Sequence, residues 1–521
     1  MTILDDRDSA VVPVTERFRR LTGIDERGPE LLPLDAGEQY RFTFAMDACV
    51  GCHSCEVACA EQNATPVDKA WRRVGELEGG DFPTTRRLNL SMACNHCLEP
   101  TCLSGCPTQA YTKLQNGVVQ HDAAECIGCQ YCIWNCPYEV PVYDKATKVV
   151  AKCDMCLPRL SEGQSPACVL ACPTHAITVE PVNVAAWRAD PDGADAPGLP
   201  PASITLSTTR IVTPAGLPDL VAATDHAVEP EDPHWPLVAL TLLTQLSLGT
   251  VASTVVAEAA GGAGRGGLAG GAVGAALAGA VALAASLLHL GRPAVAFKAL
   301  RNWRTSWLSR EVALLSAFSG ASLAYAAAWQ WGDALGIGRG PRLALGVGAV
   351  TAGVAGVYAS GRLYLVPARP VWNSRRTLVA FFATALATGP LLALLCLDRA
   401  ALPPSLVGGL MAATAAGGMV QLGVVRHLLR TVRGRTDRQH RGTATLLTGR
   451  FRTLLAARVT AVSATIALLA WTLTVPLAGP AAGGRLATAL GVAALGELAG
   501  RYLFYVTVVP FRVAGSFFSG R

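Results

Sequence analysis

The chain has 521 residues, of which 51% are hydrophobic, and it is long enough for several domains. Its formal net charge of +6 comes from arginines that cluster between long apolar runs rather than on one polar face. This distribution excludes a nucleic-acid-binding protein, which would carry its basic residues on one solvated surface.

Residues 1–40 are polar and acidic, show little periodicity and predict an N-terminal extension. The opening MTILDDRDSA is acidic and no apolar segment follows it, so no secretory signal peptide is predicted. Arg19 and Arg20 form a pair, but the stretch LTGIDERGPE after them is too polar for a twin-arginine signal. If the chain is exported, we expect a partner subunit to carry the signal.

Sixteen of the 17 cysteines lie between Cys49 and Cys172, in four groups of four. The first group (CVGCHSCEVAC) and the third (CIGCQYCIWNC) have the C-x2-C-x2-C-x3-C spacing of bacterial ferredoxins, in which three thiolates bind one cubane and the fourth binds its neighbour. Four cysteines per cubane predict four [4Fe–4S] clusters, in a domain of small strands and turns over residues 41–185. The groups are Cys49, Cys52, Cys55 and Cys59; Cys94, Cys97, Cys102 and Cys106; Cys126, Cys129, Cys132 and Cys136; and Cys153, Cys156, Cys168 and Cys172.

Disulfide bonds and zinc are the alternative roles for these cysteines. Disulfides would require an exported chain and do not explain the repeated order. Zinc suits sites built from two C-x2-C pairs, whereas the third group places four thiols in too short a span for a tetrahedral site. Iron–sulfur clusters explain the pattern best.

Residues 186–233 are rich in Pro, Asp and Gly and predict a linker, although the stretch ITLSTTRIV also suits a strand lying along a partner. From residue 234 the sequence predicts an all-α membrane domain of eight transmembrane helices, because each apolar run approaches the ~20 residues that cross the hydrocarbon core. A soluble bundle of buried helices does not explain eight such runs separated by polar loops. The runs lie near residues 236–257, 268–290, 312–331, 343–365, 378–397, 406–429, 454–477 and 486–509.

The cysteine groups resemble those of the iron–sulfur subunit of dimethyl sulfoxide reductase-like molybdoenzymes (DmsB type), over residues 41–215. The second half resembles the membrane anchor of the same enzymes (DmsC and NrfD type). The matching stretches there are SLLHLGRPAVAFKALRNWRTSWLSREV at 286–312, VYASGRLYLVPARPVWNSRRT at 357–377 and GELAGRYLFY at 496–505. The resemblance implies a fusion of the two subunits, with an α+β poly-ferredoxin domain of two double-cubane modules.

The resemblance also implies how the cysteine groups pair, which spacing alone does not determine. In that family the first group pairs with the fourth and the second with the third. Carried over to this chain, the four clusters bind Cys49, Cys52, Cys55 and Cys172; Cys153, Cys156, Cys168 and Cys59; Cys94, Cys97, Cys102 and Cys136; and Cys126, Cys129, Cys132 and Cys106.

Two ionisable residues near the ends of apolar runs are candidate quinol-site residues. His289 ends the second run and Glu311 opens the third on the same side of the membrane. Quinol oxidation releases two protons, so we expect His289 to accept a proton and Glu311 to pass it on. The anchor family has its quinol pocket in this region. A purely structural interfacial histidine is the alternative for His289.

Other charged residues in the runs have simpler interpretations. Glu497 and Arg501 are four residues apart in the eighth run and predict a structural ion pair. Only His289 and His427 lie in the runs, both near ends, whereas two b-haems would need four histidines deep in helices. The sequence therefore predicts no haem.

Loop charges predict the orientation in the plasma membrane. The loops after the second, fourth and sixth runs, with the C-terminal tail, carry 17 Lys and Arg, and the opposite loops carry 5. By the positive-inside rule the iron–sulfur domain faces the cytoplasm. The best-known relatives are exported with a catalytic partner that carries a twin-arginine signal, so the exported side is the alternative.

These features predict an electron-transfer and membrane-anchor subunit that takes electrons from menaquinol, in contact with lipid and the quinone pool. A separate molybdopterin subunit would then reduce dimethyl sulfoxide or another S- or N-oxide in anaerobic respiration, since no pterin-binding domain is recognisable here. The reverse direction, from a cytoplasmic molybdoenzyme that oxidises sulfite to quinone, is the first alternative. A transporter with a ferredoxin sensor would need several charged residues deep in the helices, where only Glu497 and Arg501 are found.

Overall fold

The computed structural model of the protein describes residues 31–66, 69–216, 219–223, 228–261 and 264–513. Most of the predicted N-terminal extension, including the paired arginines, lies outside the described residues. The described chain forms a cysteine-rich half up to residue 223 and a membrane half from residue 228, and each half has its own hydrophobic core.

The cysteine-rich half contains two three-stranded sheets and two hairpins. Its sheets have the strand orders β8-β1-β9 and β10-β2-β3, and its hairpins are β4-β5 and β6-β7. Phe42 and Phe44 lie on one face of β1 and are buried in the core, because successive side chains of a strand point to opposite faces, and Arg41 on the other face is buried as well. The strands are β1 Glu38–Ala45, β2 Arg73–Gly79, β3 Arg86–Met92, β4 Tyr111–Lys113, β5 Val119–His121, β6 Val142–Asp144, β7 Val149–Ala151, β8 Ile177–Asn183, β9 Arg210–Val212 and β10 Leu220–Ala222.

Short helices follow the cysteines and turn the chain away from the cysteine loops. None exceeds nine residues, and Thr101–Gly105 and Tyr131–Asn135 each end at a cysteine with extended backbone angles. They are Ser54–Gln62, Thr101–Gly105, Tyr131–Asn135, Leu157–Ser161, Ala167–Leu170 and Val184–Ala189, with a 3-10 turn at Ala202–Ile204.

The predicted linker at 186–233 differs from the observed structure, because its described part packs into the cysteine-rich half. Strand β9 pairs in parallel with β1, and β10 pairs with β2. Ile211 of β9 is buried in the core of this half. Only the last three residues of ITLSTTRIV form a strand, and they lie along the chain's own sheet rather than a partner. Composition misled here because a three-residue strand has no periodicity to detect.

The eight predicted membrane helices are confirmed within the described residues. Their ends differ from the predicted runs by a few residues, and the second helix ends at Leu287, so that His289 lies beyond it. The helices are Trp235–Ala260, Arg265–Leu287, Trp307–Trp331, Arg339–Leu363, Arg375–Cys396, Pro404–Gly434, Arg452–Thr472 and Pro480–Val506, with a 3-10 segment at Pro293–Leu300, a short helix at Arg438–Thr445 and a π turn at Leu446–Arg450.

Small residues let the membrane helices approach closely. At the crossing of the first and fifth helices, a Cβ added to Gly389 would lie 2.2 Å from the Cα of Gly249. Backbone contact of this kind replaces the hydrophobic driving force that lipid does not supply. The bundle thus provides a rigid platform for the cysteine-rich half.

The third cysteine group joins the two halves. Tyr131 and Trp134, between its cysteines, belong to the hydrophobic core of the membrane half. The Tyr131 hydroxyl donates a hydrogen bond of 2.8 Å to the carbonyl of Leu363, and the Trp134 ring packs edge-on against Trp372 at 5.4 Å. The second group is held too, because Asn302 Nδ2 donates to the Cys106 carbonyl at 2.8 Å. The second and third cysteine groups of the ferredoxin-like half therefore rest directly on the membrane half.

Candidate functional site

Each cysteine group begins with the same backbone turn. The residue two positions after the first cysteine donates its N–H to that cysteine's sulfur: Gly51, His96 at 3.5 Å, Gly128 at 3.4 Å and Met155 at 3.4 Å. All four have left-handed backbone angles, with φ between 44° and 68°. Such N–H groups stabilise a thiolate. The sequence signals this turn only at the two glycines, since His96 and Met155 adopt it against their usual preference.

Thiols from different groups come together in pairs of groups. One cavity is lined jointly by the first three cysteines of the second group and by Cys136 of the third. Burial raises the pKa of Cys49, and the nearby Cys172 adds to the rise. Burial likewise raises the pKa of Cys129 to about 12, with Cys106 contributing. We name the sets site 1 (Cys49, Cys52, Cys55, Cys172), site 2 (Cys59, Cys153, Cys156, Cys168), site 3 (Cys94, Cys97, Cys102, Cys136) and site 4 (Cys106, Cys126, Cys129, Cys132).

These sets suit cubane clusters. Among the described residues, no three His, Cys, Asp or Glu side chains converge closely enough to hold a single metal ion. A four-iron cluster is wider than one ion, so its ligands stand farther apart, and four thiols are its usual donors. A buried arginine beside sites 1 and 2, Arg72, also has two donor nitrogens without a partner, as a neighbouring anion would require.

A cavity of about 260 Å³ lies between site 4 and the membrane helices. Its wall contains Cys129 of site 4 together with His289, Glu311 and Tyr364. The two residues predicted from the sequence for quinol chemistry thus share one cavity with a cysteine of the nearest site. The remaining wall is mainly apolar, including Leu237, Leu240, Leu283, Leu287, Leu308 and Leu315.

His289 lines this cavity and has one ring nitrogen that can act as an acceptor. Its Nδ1 hydrogen-bonds the carbonyl of Ser286, so Nδ1 carries the proton. Burial lowers the pKa of His289 to about 4, so the ring is neutral at pH 7. In a neutral imidazole with a protonated Nδ1, Nε2 has a free lone pair. In this state Nε2 accepts hydrogen bonds and does not donate them.

Glu311 is a buried carboxyl without a cation partner. It lies on the third membrane helix and is 4% exposed. Its Oε1 atom is buried and has no hydrogen-bond partner within the usual distance and angle limits, and Ser360 is the polar side chain beside the carboxyl. No Lys or Arg of the described chain forms an ion pair with it. A carboxyl in such a position is a candidate proton acceptor.

The sequence did not indicate Tyr364, which also lines the cavity. Its hydroxyl hydrogen-bonds that of Tyr505, at 2.5 Å, joining the fourth and eighth membrane helices. Both tyrosines are fully buried. The only available signal was their position at the ends of apolar runs, where tyrosine usually has an interfacial role.

Comparisons with known proteins agree with this arrangement. A family described as 4Fe-4S dicluster domain matches residues 86–181, and one described as DMSO reductase anchor subunit (DmsC) matches residues 231–506, more than half of the chain. One chain of the anaerobic dimethyl sulfoxide reductase of Haemophilus influenzae is 37% identical over 177 residues, which is 32% of the present chain and 86% of that protein. The protein belongs to the dimethyl sulfoxide reductase electron-transfer family. In this protein a DmsB-type iron–sulfur half is fused to a DmsC-type anchor.

Two further relatives show the range of this family. The probable anaerobic dimethyl sulfoxide reductase chain YnfG of Escherichia coli K12 is 34% identical over 202 residues, covering 37% of this chain and 98% of that protein. One subunit of the sulfite dehydrogenase of Allochromatium vinosum is 37% identical over 160 residues, covering 26% and 67%. The DmsB–DmsC fusion is thus a multi-pass membrane protein that carries [4Fe–4S] clusters and transfers electrons within a molybdoenzyme-type complex.

The ion pair predicted between Glu497 and Arg501 in the DmsC-type half is wrong. Glu497 Oε2 accepts hydrogen bonds from Thr384 at 2.7 Å and Gln421 at 3.1 Å, whereas Arg501 donates to Gln245 at 2.8 Å. Polar residues on neighbouring helices offer each side chain a partner. Helical spacing alone cannot detect that competition.

The DmsC-type half also buries more charge than the sequence indicated. Glu258 accepts a hydrogen bond of 2.6 Å from Tyr325, near the end of the first helix farthest from the iron–sulfur half. Arg458 reaches Gln421 at 2.9 Å, and Gly500 leaves space for it, because a Cβ there would lie 2.4 Å from Arg458 Cζ. Glu258 and Arg458 each have one such protein partner, although Glu258 Oε1 and Arg458 Nε make no hydrogen bond to described residues.

Proposed function

We propose that this chain oxidises menaquinol, or a similar quinol, in the cavity beside site 4. The electrons then pass through four [4Fe–4S] clusters to a separate molybdopterin subunit, which reduces dimethyl sulfoxide or another S- or N-oxide. The observation that carries the proposal is the shared cavity wall of Cys129, His289 and Glu311. A quinol bound in this cavity would contact two proton acceptors and the site that accepts its electrons.

Two different side chains accept the two protons that the quinol releases. A quinol becomes a quinone by losing two electrons and two protons. His289 Nε2 accepts one hydroxyl proton, and the free Oε1 of Glu311 accepts the other. The apolar wall packs the ring. Leu287 in this wall is 43% exposed and Leu288 beside it is 78% exposed, which supports access for the tail from the lipid.

The sixteen cysteines would hold one cluster at each of sites 1 to 4. When bound, each cluster takes up and releases one electron at a time. Site 4 faces the membrane cavity through Cys129. Site 1 lies at the surface, where Cys52 and Val50 are exposed, so it is the site from which the partner subunit would receive electrons. No haem takes part in the proposed path.

The reverse direction has one specific observation in its favour. The sulfite dehydrogenase relative has the same identity to this chain, 37%, as the dimethyl sulfoxide reductase relative of Haemophilus influenzae. In that case a donor oxidised by the molybdopterin subunit would reduce quinone in the same cavity, and Glu311 and His289 would return the protons. Measured reduction potentials of the clusters against the quinone couple distinguish the two directions.

We also propose that the iron–sulfur half faces the cytoplasm, as the loop charges favour. Because the C-terminal tail lies on the same side, a C-terminal green fluorescent protein fusion should fluoresce and a C-terminal alkaline phosphatase fusion should be inactive. The opposite result would place the iron–sulfur half on the exported side.

The decisive experiment uses the full chain in lipid nanodiscs. Four cubanes of four irons predict about sixteen irons and sixteen sulfides per chain. Addition of a menaquinol analogue should produce the electron paramagnetic resonance signals of reduced clusters. His289→Ala should lose this quinol-driven reduction and keep reduction by dithionite. Normal quinol oxidation in His289→Ala would overturn the pocket, and zinc in place of iron and sulfide would overturn the whole proposal.

A further inference from the structure

Arg72 lies between site 1 and site 2, where it contacts a cysteine of site 2 directly and a cysteine of site 1 through Ser91. Its backbone N–H donates to the sulfur of Cys59 in site 2. Its Nη1 donates to the Ser91 hydroxyl at 3.1 Å, and that hydroxyl lies 3.4 Å from the sulfur of Cys55 in site 1. The guanidinium also lies 4.6 Å from the centre of the Phe42 ring. One residue thus connects the two sites, by its backbone at site 2 and by its side chain at site 1.

The charge of Arg72 is buried and has no carboxylate partner in the described chain. Only 2% of the residue is exposed, and its Nε and Nη2 atoms make no hydrogen bond to described residues. The nearby carboxylate of Glu56 accepts hydrogen bonds from the Val74 backbone N–H and from His53 instead. A buried unpaired cation is strongly unfavourable, so an anionic group must offset it. The two cluster sites are the anionic groups within reach.

We propose that Arg72 sets the reduction potentials of the clusters at sites 1 and 2 together. This inference rests on the proposed function, because it requires both sites to hold [4Fe–4S] clusters. Reduction adds one negative charge at a site, and a fixed cation in a water-excluded interior stabilises that charge. Arg72 therefore raises both potentials, because its charge acts on a cysteine of each site.

A second buried cation, Lys152, lies beside a different pair of cysteine sites. Its ammonium group donates to the carbonyls of Val119 and Cys153 and lines the cavity of site 3. It therefore acts on sites 2 and 3. At site 4 the cation near Cys126 is Arg292, which is only half-buried and donates to the Ala123 carbonyl. The effect of Arg72 should accordingly be confined to its own two sites.

The test is a potentiometric titration of the full chain, followed by electron paramagnetic resonance. Serine variants Cys52→Ser and Cys156→Ser assign the signals of sites 1 and 2. Arg72→Met keeps the volume and removes the charge. At a fixed potential it should lower the reduced-to-oxidised ratio at sites 1 and 2 at least tenfold, which is a shift of about 59 mV for a one-electron couple. Sites 3 and 4 should keep their wild-type potentials.

Two matched variants control for side effects. Arg72→Lys keeps the charge and should restore most of the potential at both sites. Arg87→Gln removes an arginine on the neighbouring strand β3, whose side chain is 66% exposed, and should leave all four potentials unchanged. If Arg72→Met loses iron, Ser91→Ala replaces it, because it removes the hydroxyl between Arg72 and Cys55.

Each result has a defined meaning. A fall confined to sites 1 and 2, or to site 1 in Ser91→Ala, supports the inference. An unchanged set of potentials, or an equal shift at all four sites, overturns it and leaves the quinol assay untouched. A wild-type chain without any cubane signal would instead overturn the proposed function.

Discussion

Each half of the molecule buries a charged side chain that has no oppositely charged protein partner among the described residues. The cysteine-rich half buries the cation Arg72 with no carboxylate, and the membrane half buries the carboxyl of Glu311 with no cation, among the described residues. Each lies beside the place where we expect a charge to arrive or depart. A permanent cation suits an anionic electron carrier, whereas a group that can be neutralised suits a donor that releases protons. An unpaired buried charge is therefore informative where it lies beside a cysteine site or the cavity, since Glu497 and Arg501 are also buried with neutral partners alone.

Removing the thiol that faces the cavity should have the largest effect. Cys129→Ser is expected to abolish or alter the cluster at site 4 and to reduce quinol-driven reduction of the other sites at least a hundredfold. Dithionite should still reduce those sites, because they do not depend on the cavity. Electron paramagnetic resonance after each reductant measures both.

The matched control for that variant is Cys396→Ser. Cys396 is the cysteine of the fifth membrane helix and belongs to none of the four sites. Its substitution should leave the signals and rates unchanged. Wild-type quinol-driven reduction in Cys129→Ser would show that electrons enter elsewhere.

Neutralising the unpaired carboxyl should have the second largest effect. Glu311→Gln keeps the shape but removes the proton acceptor, so quinol oxidation should slow on the order of a hundredfold. Stopped-flow oxidation of a menaquinol analogue measures the rate, and unchanged cluster signals confirm folding. Glu258→Gln is the comparison variant, since Glu258 is equally buried but lies far from the cavity and is bonded to Tyr325. Equal losses in both variants would remove the special role of Glu311.

A smaller effect is expected where the two halves touch. The Gly291 backbone N–H donates to the Gly128 carbonyl of site 4's loop at 3.3 Å, and a Cβ on Gly291 would lie 2.1 Å from the Lys148 carbonyl oxygen. Gly291→Ala should therefore push site 4 from the cavity and slow quinol-driven reduction roughly tenfold. Gly266→Ala, where the added Cβ meets open space, should have no such effect. A wild-type rate in Gly291→Ala would show that this contact does not position site 4.

The pH dependence should be the mildest effect within the usual range. The pKa of His289 is lowered to about 4, so its Nε2 stays available from pH 8 down to about 5, and the rate should fall only as pH approaches 4. The contribution of His289 to folding stability also decreases as the pH falls, because the unfolded chain, in which the histidine has a pKa of about 6.5, binds the proton first. A pH–rate profile in nanodiscs tests this. An acid limb with a midpoint near 6.5 would show that His289 is solvated or not involved.

The sequence predicted the cysteine-rich site more fully than the membrane site, and the reason is physical. All four cysteine groups are local patterns whose spacing reflects the shape of one cubane. The cavity is lined by residues from helices far apart in the chain, so His289 and Glu311 could be selected only by their position at run ends and by family resemblance. Tyr364 was missed because nothing local distinguishes it from an interfacial tyrosine.

The features that were predicted wrongly are likewise those that depend on contacts between distant parts of the chain. Eight membrane helices were predictable because apolar runs of this length seldom form any structure except a membrane-spanning helix. The described part of the linker was misread because β9 depends on pairing with a strand more than 160 residues earlier. The pair of Glu497 and Arg501 was misread because Gln421 and Gln245 come from other helices.

Because Tyr131 and Trp134 pack among the membrane helices of the same chain, dilution should not separate the two halves. In a two-chain arrangement, the contact that admits electrons would be lost as subunits dissociate. Here both surfaces belong to one polypeptide, so their effective concentration is fixed by the connecting chain and does not change with protein concentration. Electron entry from the membrane should therefore persist at any concentration at which the chain stays folded, and only delivery to the molybdopterin subunit should weaken on dilution.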